Sequence, residues 1–242
     1  MSQDVDSSAL RQLLNAQRED SAIALLIHRR RNLEEAKRLE EVLAQLEELT
    51  ADAAIARKKS DEITRRQTRL EGEMEIGDAK IEREEQRLFS GGVSNPKELG
   101  ALQAEVEMLK RRRATLEDDL LEVMVQRDQA NATLEALETE GAQTSMWAEE
   151  LNVTVSSLTD EIDRELSRHQ TSRTEHASVI PQPLLELYET LREAKGGVGA
   201  AELERDTCSG CHTKLPAREV ERLRAEGSLQ RCDNCRRILV VT

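Results

Sequence analysis

A chain of 242 residues that is 34% charged and holds one Trp, one Tyr and one Phe lacks the aromatic area on which compact globular cores are built. Its formal charge of −13 argues against general electrostatic coating of nucleic acid or anionic membrane, leaving only local basic patches for such contacts. No stretch approaches the ~20 apolar residues of a membrane span. The segment from Met1 to Ala9 is polar and acidic, without the features of a secretion signal, so a cytoplasmic location is expected. In that reducing compartment, four cysteines read as metal ligands or redox thiols, not as a disulfide framework.

In chain order, Asp6, Ser7 or Ser8 offers a cap for a first helix carrying Leu10, Leu13, Leu14, Ile23, Leu25, Leu26 and Ile27. The run His28-Arg29-Arg30-Arg31-Asn32 interrupts the apolar spacing and predicts a bend or short break before Leu33. From there, apolar residues follow the alternating three-and-four spacing of a coiled-coil seam as far as Leu88. The same spacing restarts at Leu99 and continues through Leu102, Val106, Leu109 and Leu116 to Ile162. A seven-residue apolar repeat keeps one narrow face of a helix against a partner, the signature of left-handed supercoiling.

Between the two runs lies Ser90-Gly91-Gly92-Val93-Ser94-Asn95-Pro96. Its glycines tolerate positive φ where one helix stops, and Asn95 can cap the next helix with Pro96 at its first position and Glu98 reaching back. The chain therefore reverses here. Antiparallel pairing sets Leu88 beside Leu99, Ile81 beside Val106 and Leu46 near Gly141, with Met74 against Arg113 and Ser60 against Arg127. The first helix then lies beside roughly Ala148 to Thr174. At ~1.5 Å per residue, the second arm makes a rod on the order of 110 Å long.

Pro181 and Pro183 end the second arm. Leu184, Leu187, Tyr188 and Leu191 mark a short amphipathic helix ending at Gly196-Gly197-Val198-Gly199, a glycine cluster that lacks the Lys-Ser/Thr of a phosphate loop and reads as a hinge or helix stop. The fold class expected is mainly α: a long antiparallel coiled-coil hairpin over 1–180 with its tip near 90–96, a short helix and hinge over 181–199, and a small C-terminal zinc-ribbon β domain over 200–242.

The strongest chemical signal is a pair of C-x-x-C knuckles, Cys208-Ser-Gly-Cys211 and Cys232-Asp-Asn-Cys235. The two-residue gap lets both sulfurs of a knuckle face one ion, and two knuckles complete a tetrahedral S₄ site for one structural Zn²⁺. A segment of this size buries too little area to fold alone, so the metal supplies the missing free energy, typically ~10–16 kcal/mol in zinc-finger peptides. Strand-like flanks from Gly199 to Arg205 and Ile238 to Val241 suit a zinc ribbon. The same four thiolates also suit a single iron ion. Cys208-Ser-Gly-Cys211-His212 matches the covalent haem pattern, but that reading leaves the second knuckle without a role. A dithiol oxidoreductase calls for one C-x-x-C on a βαβ unit, which the pattern does not show. A closed four-cysteine site has no open position for substrate, no carboxylate pair or nucleophile with a base stands out, and a non-enzyme is expected.

From Thr207 to Thr242 there are seven basic and four acidic residues, and a zinc tetrathiolate of about −2 leaves the ribbon near +1. Lys214, Arg218, Arg222, Arg231, Arg236 and Arg237 are the candidate nucleic-acid or partner contacts there, although no aromatic residue of the ribbon is available to stack a base. Basic clusters at Arg29 to Arg31, Arg57 to Lys59 and Lys110 to Arg113 read as solvated coiled-coil flanks. Phe89, beside the turn, is a candidate partner contact, whereas Trp147 and Tyr188 read as local packing.

The tip run Asn95-Pro96-Lys97-Glu98-Leu99, the Tyr188 helix, both knuckles and Arg236-Arg237-Ile238-Leu239 together resemble a bacterial family that joins a long coiled-coil hairpin to a C-terminal four-cysteine zinc ribbon. The abundance of Arg and Ala looks like an actinobacterial member. The resemblance implies that the four cysteines are metal ligands. It also implies adaptor or chaperone-like work, since relatives in flagellated bacteria bind the nitrogen-type alternative sigma factor and one binds a flagellin transcript. The family often has Gly directly after the last cysteine and Tyr near the end, where this chain has Arg236 and Val240. The function expected is a non-enzymatic zinc-binding adaptor docking a protein partner, such as a sigma factor or a transcription or secretion component. The alternative is an RNA- or DNA-binding regulator using the ribbon arginines.

Overall fold

A computed structural model describes residues 6–225 and 229–241; the sequence reading of Met1 to Val5 and the charge of Glu226 concern residues outside those described. The elements are α1 (Ser7–Arg31), α2 (Glu34–Phe89), α3 (Pro96–Ser178), α4 (Gln182–Ala194), β1 (Ala200–Glu204), β2 (Thr207–Cys208), α5 (Ala217–Ala225), β3 (Gln230–Arg231) and β4 (Ile238–Val240). They form a long helical hairpin followed by a small sheet, as the seam spacing and the strand-like flanks predict. No described helix is long and apolar enough to cross a membrane.

Two compact units divide the chain: residues 38–150, and residues 1–37 together with 151–242. In the first, α2 stops where Gly91 turns to φ 72°, and α3 restarts with Asn95 Oδ1 accepting from Lys97 N at 3.0 Å. Ile81, Leu102, Val106, Leu109, Val123 and Ala130 are buried between the arms. Across the arms, Ser60 Oγ meets Asn131 Oδ1 at 2.6 Å, Arg113 Nε donates to Asp78 at 2.9 Å beside Met74, and Leu46 lies near Gly141 as expected.

In the second unit, α1 begins at Asp6, whose carboxylate accepts from Ser8 N at 3.1 Å, and ends at Asn32. The four basic residues His28 to Arg31 fill its last turn, where the helix dipole favours them. α1 lies along the end of α3: Leu26 and Leu33 pack with Ile162 and Leu166, His169 meets Glu19 at 2.5 Å and His176 meets Gln12 at 2.8 Å. Both histidines are thus polar contacts between helices.

The sheet order is β2-β1-β4-β3. β1 and β4 run parallel with Ala200 opposite Ile238, and the outer pairs are antiparallel. Successive strand residues point to opposite faces, and both faces here are covered. Ala200, Ile238 and Val240 join Ala9, Leu13 and Leu14 of α1 and Leu184, Tyr188 and Leu191 of α4 in one core. Ala201, Leu203 and Leu239 face the cysteines and Val220 and Leu223 of α5. That double burial accounts for the uninterrupted apolar run Ile238-Leu239-Val240.

Candidate metal centre and its seat

Both knuckles are built on the same backbone plan. Cys208 N donates to Thr213 O at 3.1 Å and His212 N returns a bond to Cys208 O at 2.8 Å; Cys232 N donates to Arg237 O at 3.0 Å and Arg236 N returns to Cys232 O at 2.8 Å. The residue after each second cysteine is left-handed, His212 at φ 57° and Arg236 at φ 65°. Left-handed backbone favours glycine, which explains why glycine suits the position Arg236 occupies. Between the first pair, Gly210 lies so close to Ala201 and Arg237 that a Cβ would meet each at 2.9 Å.

The turns aim amide groups at the buried sulfurs: Gly210 and Cys211 at Cys208, Asn234 and Cys235 at Cys232. Across the pair, Cys208 Sγ is 4.0 Å from Cys235 Sγ and Cys211 Sγ is 3.9 Å from Cys232 Sγ, and all four sulfurs lie within 4.8 Å of one another. Tetrahedral Zn–S bonds of ~2.3 Å place sulfurs about 3.8 Å apart, so the donor set fits one structural Zn²⁺. Among the described residues, these four cysteines are the one such ligand group. Burial pushes the Cys208 thiol up to about 12 and raises Cys232 as well, while donation from Thr213 and Asn234 holds Cys211 down to about 6. A bound dication favours the thiolate of every ligand. Asn234 ties the second knuckle to the first, reaching Thr213 Oγ1 at 2.8 Å and Cys211 Sγ at 3.6 Å.

The segment read as a hinge or helix stop ends α4 in a pinned turn. Gly196 and Gly197 have φ 69° and 93°, and Gly197 N caps α4 by donating to Arg192 O at 2.8 Å. Gln17, only 6% exposed, accepts at Oε1 from Gly199 N at 2.7 Å and Ala200 N at 3.3 Å and donates to Gly197 O at 3.1 Å. Arg237 donates to Lys195 O and Gly210 O at 2.9 Å and to Val198 O at 2.8 Å. Gly199 leaves no space for a side chain, since a Cβ would stand 2.6 Å from Tyr188 O. α1 and the ribbon therefore clamp 195–200 from two directions.

The remaining candidate contacts are distributed over the ribbon surface. Lys214 pairs with Asp206 at 2.9 Å, and Arg222 and Arg236 both approach Asp233 at 3.7 Å. Arg218 is exposed on the first turn of α5, and Arg231 is exposed on β3. Arg237 is engaged by the three carbonyls. Sequence reading missed Gln17 and α5. Gln17 was detectable by its spacing from Leu13 and Leu14, which puts it on the buried face of α1. Pro216 ahead of the spaced pair Val220 and Leu223 was the signal for α5.

Comparisons with known proteins agree with this architecture. Residues 16–196 match the CT398-like coiled coil hairpin domain and residues 207–239 the C4-type zinc ribbon domain. An uncharacterised protein of Mycobacterium tuberculosis is 28% identical over 234 residues, covering 95% of this chain and 94% of the relative. A solved structure from Mycobacterium smegmatis is 28% identical with a TM-score of 0.82, over 99% of this chain and 100% of the other. CT398 from Chlamydia trachomatis shares the fold at 21% identity and a TM-score of 0.66, over 97% of this chain and 98% of that one.

Proposed function

The chain belongs to the CT398-like coiled-coil hairpin family and carries a C4-type zinc ribbon, and from that premise we propose that it is a non-enzymatic, cytoplasmic, chaperone-like adaptor. Its partner is a protein, with a sigma factor or another transcription or secretion component as the class that the family resemblance favours. The observation carrying this reading is the exposure of Phe89 at the tip of the hairpin unit. Phe89, the one Phe of the chain, is 80% exposed beside the tip, and Ile55, Ile76, Leu121 and Val125 are also exposed. The others are spread along the arms, so the exposed aromatic ring at the tip is what supports a contact there. The zinc fits a closed site, which favours a structural part for it over a catalytic one.

The ribbon cations favour protein docking over the nucleic-acid alternative, because Lys214, Arg222 and Arg236 face carboxylates and Arg237 faces carbonyls. Affinity capture from the native host with the zinc-loaded chain and with Phe89→Glu tests the reading. The account expects one set of proteins retained by the native chain and depleted by the variant. Capture that depends on nucleic acid, abolished by nuclease and falling steeply with salt, would replace it with the alternative.

A further inference from the structure

The seam of the hairpin unit is not closed evenly. Near the tip, Ile81, Leu102, Val106 and Leu109 are buried. Farther along, Leu46, Leu49 and Leu137 remain half-exposed around an open groove of about 660 Å³ whose lining includes Ala53, Ala54 and Gly141. The cause lies in residue size: alanines and a glycine stand where a seam carries large side chains. Nothing lies within 4 Å of where a Gly141 Cβ would point. Leu43, 49% exposed, extends the apolar row three residues beyond Leu46.

The groove's lining carries both signs, Arg57 and Lys58 with Asp61 and Glu138, but the stretches of the two arms that bear it are acidic. From Leu39 to Ala56 the chain has five carboxylates and no Lys, Arg or His, and from Asp128 to Glu150 it has six and again no cation. Ordinary coiled-coil flanks alternate sign, as they do nearer the tip in the pairs Lys80–Glu105 and Lys110–Glu85. Arg57, paired with Glu138, and Lys58 close the groove at one end.

We propose that this groove docks a basic amphipathic helix of a partner protein, its apolar side chains entering between Leu46, Leu49 and Leu137 and its Lys and Arg residues meeting the carboxylates of both arms. Helix-in-groove recognition uses apolar anchors at i, i+3, i+4 and i+7, and complementary charge fixes orientation and speeds encounter. The inference rests on the adaptor reading and names the chemistry of its partner.

The test is fluorescence anisotropy with a labelled Lys/Leu peptide whose leucines follow helical spacing, using the zinc-loaded full chain. Gly141→Leu fills the floor of the groove; because glycine is unfavourable in a helix interior, the variant keeps or raises Tm while peptide affinity falls roughly tenfold. Glu48→Lys with Glu135→Lys, both on exposed positions, produces a loss of similar size that shrinks at high salt. Equal affinity for a scrambled peptide of the same charge, or unchanged binding by Gly141→Leu, overturns the groove. Host proteins captured equally by the native chain and Gly141→Leu would overturn the groove and leave the adaptor reading standing; peptide binding as described with no host protein captured would overturn only the adaptor reading.

Discussion

The Tyr188 hydroxyl donates to Asp20 Oδ2 across 2.6 Å, bonding α4 to α1 at the edge of the core that holds the ribbon. Tyr188 is fully buried, and Asp20 is also approached by Arg173 at 3.3 Å and Arg192 at 3.7 Å. A hydrogen bond to a charged group contributes about 1.5–3 kcal/mol. Tyr188→Phe is therefore expected to lower stability by about that amount in urea titrations while zinc content stays unchanged.

The same contact sets a pH dependence. Burial first, and the Asp20 bond second, push the Tyr188 hydroxyl far above the ordinary phenol value. The unfolded chain ionises near pH ~10 whereas the folded one retains the proton, so this stability is fully present below pH ~10 and is lost as pH rises beyond it. Tm of the native chain should decline more steeply between about pH 10 and 11 than Tm of Tyr188→Phe, and parallel declines would contradict the assignment.

Gln17 holds the turn that leads into the ribbon. Gln17→Leu keeps the apolar face but leaves the amides of Gly199 and Ala200 without their acceptor, at about 1–3 kcal/mol per buried group. The expected result is a loss of around 3 kcal/mol, with faster hydrogen exchange at Gly199 and Ala200 and little change in exchange over residues 60–130. Gly199→Ala should be at least as damaging, because its methyl would meet the Tyr188 carbonyl at 2.6 Å.

Arg236 carries strain that glycine would relieve. Its φ of 65° costs a non-glycine residue about 1 kcal/mol or more, and its contact to Asp233 at 3.7 Å is exposed and weak. Arg236→Gly is expected to raise the chelator concentration needed to remove zinc by several-fold. A lower concentration would show that the arginine side chain matters more than its backbone.

Loss of a ligand should reach beyond the ribbon. Cys232→Ser is expected to lose zinc and unfold β1–β4. Because Ala200, Ile238 and Val240 share a core with α1 and α4, those two helices should loosen with it, while far-UV circular dichroism retains the signal of the hairpin over 38–150.

The features legible in the sequence were those set by local chemistry. Asn95 and Pro96 marked the start of α3, the Asn32 break marked the end of α1, and the two C-x-x-C spacings marked the sulfur cluster. The features that escaped depend on where distant segments meet. Gln17 falls on the apolar face of α1 by spacing, but what it bonds stays hidden until the turn at 197–200 is placed beside it. Arg237 reads as a surface cation until three carbonyls converge on its guanidinium. The glycines at 196–199 read as a hinge or a helix stop because glycine signals both freedom and close approach; contacts from Gln17, Tyr188 and Arg237 favour the stop.

X-ray absorption at the zinc edge on the purified full chain tests most directly whether the ribbon is a closed structural module of a non-enzymatic protein. The account predicts one zinc per chain with four sulfur neighbours at ~2.3 Å and no oxygen or nitrogen in the shell. A shell containing water or a fifth ligand, or iron in place of zinc in protein isolated from its host, would contradict it.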